Sequence, residues 1–191
     1  MTLSLGASNP ISSYMNSLTD RLKEVIRDVP DFPKPGIMFK DITPILQNPQ
    51  LAAQIVDALS EEARSLNVDA IAGVESRGFF FGPQMARSLS VPFIPIRKKG
   101  KLPYHTVSYA YDLEYGQAVV EMHKDAVDPG MRVLVHDDLL ATGGTAMAGA
   151  ELVKMQQGVI TGFSFLVELA FLNGRNALEP YQIPIHSVVT Y

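Results

Sequence analysis

Between Val133 and Thr145 the chain reads Val-Leu-Val-His-Asp-Asp-Leu-Leu-Ala-Thr-Gly-Gly-Thr. An apolar strand-like run delivers two consecutive carboxylates, Asp137 and Asp138. The loop Ala141-Thr142-Gly143-Gly144-Thr145 follows, immediately ahead of a helix-patterned stretch to Met155. Glycines tolerate positive φ and let the backbone come close to a ligand. Unpaired N–H groups at a helix start attract phosphate, and the helix dipole adds to that attraction. Thr142 and Thr145 offer further hydroxyl donors. The acid pair repels a phosphate, so it must face something else. Sugar hydroxyls are suitable partners for groups that only accept, and magnesium is the other candidate. A phosphate loop with an acid pair a few residues before it therefore reads as a cradle for a ribose carrying a 5′-phosphate. A capped glycine loop among solvated aspartates explains the Thr-Gly-Gly-Thr part alone, but not the whole ordered series. The spacing matches neither Gly-x-Gly-x-x-Gly nor Gly-x-x-x-x-Gly-Lys-Ser/Thr, so dinucleotide and Walker-type sites are excluded.

Three other segments carry chemistry. Gly73-Val-Glu-Ser-Arg-Gly78 is a small turn after a strand-like run, and Ser76, Arg77 and Gly78 suit a second anion as well as they suit an ordinary surface turn. Arg97-Lys-Lys-Gly-Lys101 places four cations within five residues of a chain whose net charge is −4. Arginine can grip a phosphate with two bonds, while lysine acts as a point charge. No aromatic platform or wider basic field accompanies the cluster, which argues against nucleic acid. Four histidines, at 105, 123, 136 and 186, show no metal-binding spacing. His136 abuts the acid pair, either as a satisfied strand-end residue or as a group that tunes Asp137.

The elements that must hold these groups alternate. Helical spacing covers residues 15–27, 51–66, 79–89 and 145–155, and strand-like runs cover 37–39, 70–74, 92–96, 131–136 and 159–171. Residues 107–111 and 118–122 flank a turn and read as a hairpin. Prolines at 30, 33 and 35 forbid regular helix there. Strands alternating with helices imply an α/β fold around a mainly parallel twisted sheet, with ligands beyond the carboxyl ends of its strands. The first 14 residues read as a loose leader, and residues 15–191 as a single domain. Hydrophobic residues make up 47% and charged residues 19%, which suits a globular protein rather than a disordered one. There is no cysteine, so thiolate chemistry and disulfides are excluded, and a reducing cytoplasmic setting is expected. No apolar run reaches the ~20 residues of a membrane helix, so no membrane partner is expected.

The 133–145 series resembles the phosphoribosyl pyrophosphate motif of type I phosphoribosyltransferases, and its wording resembles the adenine phosphoribosyltransferases in particular. The resemblance implies that family's fold, with a small hood over about residues 29–41 and a flexible lid over about 97–116. Gly73 to Gly82 resembles the family's pyrophosphate loop, which implies a cis peptide at Glu75–Ser76. Arg97-Lys-Lys-Gly-Lys-Leu-Pro103 and Asp112-Leu-Glu-Tyr-Gly116 resemble the two ends of the lid, while Tyr104 to Tyr111 departs from the commoner wording. Asp31 to Asp41 resembles the hood. The implied reaction joins adenine to phosphoribosyl pyrophosphate and gives AMP and pyrophosphate with Mg2+. The implied roles follow. Asp137 and Asp138 hold ribose hydroxyls, and residues 141–145 hold the 5′-phosphate. Ser76, Arg77, Gly78, Arg97 and Lys101 bind the pyrophosphate. Glu114 assists the adenine proton or the cationic ribose, and Tyr115 covers the centre. Met38, Phe39 and Lys40 read the base, with Leu169 on its other face. The family is commonly homodimeric. Two alternatives share this fold: a sensor of phosphoribosyl pyrophosphate without chemistry, and a transferase for another purine. A third, an aspartate-nucleophile phosphatase, has the wrong spacing.

Overall fold

The computed structural model describes residues 10–112 and 117–191, with side chains from Leu18 onward. The chain divides into two compact units, residues 1–55 and 56–191. In the first, helix α1 spans Pro10–Val25, beginning five residues earlier than its apolar spacing indicates. Leu18 and Leu22 are buried from its inner face. Strand β1 (Arg27–Pro30) pairs antiparallel with β2 (Met38–Asp41), and Pro30 stands opposite Met38. Proline at a strand end costs no ladder bond that an edge needs, which is why a segment that reads as irregular contains a strand. The ribbon is tied by Lys40 Nζ to Asp28 at 2.5 Å and by Arg27 to Asp41 at 3.6 Å. A 3-10 turn (Thr43–Gln47) leads to helix α2 (Pro49–Ser65), where Leu51, Ile55, Leu59 and Ala63 form one fully buried stripe.

The second unit is built on seven strands in the order β5-β6-β4-β3-β7-β8-β9. They are β3 (Ala70–Val74), β4 (Phe93–Lys98), β5 (Thr106–Asp112), β6 (Gln117–His123), β7 (Arg132–Leu140), β8 (Val159–Glu168) and β9 (Ile185–Thr190). The pairs β4–β3, β3–β7, β7–β8 and β8–β9 are parallel, and the β5–β6 hairpin joins β4 antiparallel. This is the expected mixed, mainly parallel sheet. Helices α3 (Gly82–Leu89) and α4 (Gly144–Met155) flank it. Parallel strands covered on both faces are nearly continuous apolar runs: every residue of β3 is buried, as are Val133 to Val135 and, with Ser164 among them, Phe163 to Val167.

Several boundaries differ from the sequence reading. β7 runs to Leu140, so Asp137 and Asp138 lie within the strand rather than after it, and His136 is a strand-interior residue. The predicted helix 79–89 splits into a 3-10 turn (Arg77–Phe79) and α3. β8 stops at Glu168, and Ala170–Leu172 begins a series of three 3-10 turns that carries the chain to β9. That series is anchored by Arg175, whose Nε and Nη2 donate to the two oxygens of the buried Glu168 at 2.6 and 2.7 Å. Its Nη1 also donates to the carbonyl of Ile185 at 3.2 Å.

The Arg175 guanidinium holds the Glu168 carboxyl below the usual glutamate range. A lowered carboxyl value stabilises the folded state above the ordinary value of about 4.3 and stops doing so as pH falls through the lowered one. Arg175→Met should therefore lower the unfolding free energy at pH 7 by about 1.5–2 kcal/mol, the lower part of the charge-assisted range, because solvent screens a part-exposed arginine. Urea titrations should show that difference shrinking below about pH 4. A difference independent of pH would assign the loss to packing instead.

Candidate functional site

The carboxyl ends of β3, β4 and β7 bring the predicted groups of the second unit to one sheet edge. β7 ends at Leu140, and the chain turns through Ala141–Gly143 into α4. Gly143 sits at φ 83° at the helix start, with no side-chain cap. The first-turn N–H groups of α4 therefore lack the capping oxygen that most helices supply from their own chain. An open concavity beside them is lined by Asp137, Leu139 to Ala146 and Phe165. Thr142 is exposed and Thr145 half-buried there.

Glycine is required in this turn by contact as well as by φ. A Cβ on Gly143 would lie 2.4 Å from the Gly174 carbonyl oxygen, and one on Gly174 would lie 2.2 Å from the Ala141 carbonyl oxygen. The turn is thus clamped against the 3-10 segment that Arg175 anchors. Leu169 continues the clamp: it is buried, and its N–H donates to the Leu140 carbonyl at 3.0 Å.

The two aspartates, adjacent on a strand, are treated differently by the fold. Asp137 borders the concavity and accepts its neighbour's N–H at 2.8 Å. Asp138 is 3% exposed and accepts from Arg77 Nε at 2.5 Å. Burial, with the charge of Asp138 beside it, pushes the Asp137 carboxyl well above the usual carboxylate range. His136 is fully buried, with Nδ1 3.4 Å from Ser164 Oγ, and Nε2 has no hydrogen-bond partner among the described residues. Burial pushes its value down to about 4, so it is neutral near pH 7 and brings no positive charge to Asp137. The histidine is therefore an incompletely satisfied interior residue.

The Ser76-Arg77-Gly78 turn follows β3 and packs on the acid pair: a Cβ on Gly78 would meet Asp137 Oδ1 at 3.2 Å and the His136 carbonyl oxygen at 3.1 Å. The Glu75–Ser76 peptide is cis, at the position the resemblance implies. Arg97 donates twice to Glu75, at 2.9 and 3.2 Å, and its Nη1 donates to the Lys101 carbonyl at 2.8 Å. Arg97 in turn holds the Glu75 carboxyl below its usual range. The buried Glu121 accepts the N–H groups of Lys101 and Leu102 at 3.0 and 2.9 Å, which fixes the turn carrying Lys101. Backbone donors of that turn outweigh burial, so its carboxyl lies below the usual range although desolvation is the largest single influence. Glu114 and Tyr115 lie outside the described residues. Met38, Phe39 and Lys40 lie on β2 of the first unit, where Met38 is exposed and the Phe39 ring stands edge-on to Phe32 at 5.0 Å.

Four supporting groups escape the sequence reading: Glu75, Glu121, the Glu168–Arg175 pair and Gly174. Glu75 alone carried a signal, its place inside the second anion turn. The others act across 7 to 33 residues of chain and have no local pattern.

Residues 41–168 match the family model described as the phosphoribosyl transferase domain. The adenine phosphoribosyltransferase of Cytophaga hutchinsonii is 54% identical over 174 residues, which is 91% of this chain and 96% of that protein. The chain belongs to the adenine phosphoribosyltransferase family. Two solved family members share its fold. The Rhodothermus marinus protein superposes with a TM-score of 0.87 at 48% identity, covering 92% of this chain and 99% of that one. The Saccharomyces cerevisiae protein, solved with adenine and an imino-altritol bisphosphate, does so with a TM-score of 0.84 at 40% identity, covering 91% and 99%.

The clamp in this family member can be tested by comparing two glycines with nearly equal φ. Gly143 is at 83° and crowded, whereas Gly130 is at 81° with nothing within 4 Å of an added Cβ. Alanine at either position incurs the left-handed penalty of about 1–2 kcal/mol. Only Gly143→Ala must also displace the Gly174 segment, so it should weaken ribose 5-phosphate binding at least about tenfold, while Gly130→Ala keeps wild-type affinity in a calorimetric titration. Equal affinities in the two variants would remove the clamp from the account.

Proposed function

We propose that this enzyme transfers the phosphoribosyl group of phosphoribosyl pyrophosphate to adenine, forming AMP and pyrophosphate. The observation that carries the reading is the uncapped start of α4 at Gly143–Thr145, facing the same concavity as Asp137. Phosphate on the amides and ribose hydroxyls on the carboxylates fit that arrangement, and neither ligand suits the other half.

In this reading adenine N9 forms a bond to ribose C1, the C1–oxygen bond to pyrophosphate breaks, and the bonding pair leaves with the pyrophosphate. The N9 proton departs in the same turnover. Positive charge develops on the ribose ring, so positioning and electrostatics supply most of the acceleration. Residues 141–145 fix the 5′-phosphate, and Asp137 and Asp138 orient the hydroxyls. Ser76, Arg77 and Gly78, with Arg97 and Lys101, receive the leaving pyrophosphate. Magnesium would be held mainly by the diphosphate of phosphoribosyl pyrophosphate, where it would supply neutralising charge to the leaving group. Among the described residues no group of three or more His, Asp or Glu is gathered to cage a metal. A hard cation bound mainly through phosphates and waters needs no dedicated protein cage. Glu114 serves the adenine proton or the cationic ribose, and Tyr115 covers the centre. Backbone groups of Met38 and Lys40, with Phe39 and Leu169, select the base. We assign the hood to residues 29–41 and the lid to 97–116, and place the enzyme in the cytoplasm as a homodimer, following the family. No described helix is long and apolar enough to cross a membrane.

Incubation with phosphoribosyl pyrophosphate, magnesium and each purine base in turn should give AMP with adenine and no comparable nucleotide from 6-oxopurines. Asp137→Asn and Asp138→Asn should each lower kcat/KM by about tenfold or more, the value of a hydrogen bond to a charged group. Near-normal activity in both variants would contradict the ribose assignment. Preference for a 6-oxopurine would contradict the base.

A further inference from the structure

Tyr111, two residues before the Leu113–Gly116 segment, has no role in the reaction as described so far. It lies near the end of β5, only 9% exposed, and its Oη is 3.0 Å from Thr145 Oγ1. Its ring covers the start of α4: a Cβ on Gly144 would meet Tyr111 Cδ2 at 3.2 Å. Packing alone accounts for the ring. It does not account for a hydroxyl aimed at the one threonine that both begins α4 and lines the concavity.

A hydroxyl carries one hydrogen and two lone pairs. If Thr145 donates to a phosphate, its hydrogen is committed, and its oxygen can only accept from Tyr111. A phosphate oxygen is an acceptor, so the chain of bonds has a single consistent direction: Tyr111 O–H to Thr145 Oγ1, and Thr145 O–H to the phosphate. Accepting a hydrogen bond also makes the threonine a stronger donor, because aligned hydrogen bonds polarise one another. We infer that Tyr111 is a positioning residue that fixes the rotor of Thr145 and turns its hydrogen toward the 5′-phosphate of the donor. The inference rests on the assignment of Thr145 to that phosphate. It places a 5′-phosphate determinant on the strand that leads into the lid, outside the loop motif.

A double-mutant cycle separates the inference from the assignment beneath it. Tyr111→Phe keeps the ring over Gly144, Thr145→Val keeps the branched shape, and Thr145→Ser keeps the hydroxyl. Ribose 5-phosphate affinity, and KM for phosphoribosyl pyrophosphate and for adenine, are measured in each. Tyr111→Phe should weaken ribose 5-phosphate binding and raise the donor KM about fivefold, within the range of one hydrogen bond, and leave the adenine KM unchanged. In the Thr145→Val background Tyr111→Phe should add nothing, and in the Thr145→Ser background its effect should persist. An equal Tyr111→Phe effect with valine at 145, or no effect with threonine there, overturns the inference while leaving the phosphate assignment standing. Unchanged binding in Thr145→Val overturns the assignment and the inference with it.

Discussion

Two stretches of backbone meet at Gly143 and Gly174 with no room for a side-chain carbon between them. The site depends on this contact. It fixes the turn between β7 and α4, so the start of the helix lines the same concavity as Asp137. A phosphate loop on mobile backbone would lose entropy each time it gathered its donors. Here much of that ordering is already made by folding. The clamp has its own support, since Gly174 belongs to a 3-10 segment that Arg175 fastens to the end of β8 through the buried Glu168. The site is thus supported by a charge pair to which no ligand role is assigned.

The same economy governs the basic groups. An acidic chain must hold a polyanion with local charge, and the two arginines expected to do so each stand against a carboxylate: Arg77 on Asp138 and Arg97 on Glu75. These pairs hold long side chains at the carboxyl edge of the sheet. They also couple the two halves of the cradle, because the Ser76-Arg77-Gly78 turn rests on β7 where the acid pair emerges. In the proposed reaction pyrophosphate competes with Glu75 and Asp138 for the same guanidinium groups. Glu121 provides a similar anchor to the Lys101 turn by accepting its backbone amides.

Much of this was legible in the sequence where the signal is local. The 137–145 series has its chemistry in consecutive residues, and β3 and β4 announce themselves as short apolar runs bounded by turns. The cis peptide at Glu75–Ser76 followed from resemblance rather than from any pattern in the residues. What was not legible depends on partners distant in sequence. β1 was hidden by prolines, because Pro30 sits at a strand end where its missing N–H is harmless. β7 extends through the acid pair because β8 continues beside it, pairing Asp137 with Phe165 and Leu140 with Glu168. β9 was passed over because the residues before it form 3-10 turns with no helical period. Gly174 reads as an ordinary loop glycine until Ala141 and Gly143 are brought against it.

The central claim is that the start of α4 binds the 5′-phosphate while the acid pair binds the ribose. A crystal structure of the enzyme with AMP tests it most directly. The account predicts the phosphate within hydrogen-bond distance of backbone N–H groups between Thr142 and Thr145, with the ribose hydroxyls on Asp137 and Asp138. A phosphate seated instead on Arg97 and Lys101, with the acid pair facing solvent or protein alone, would contradict it.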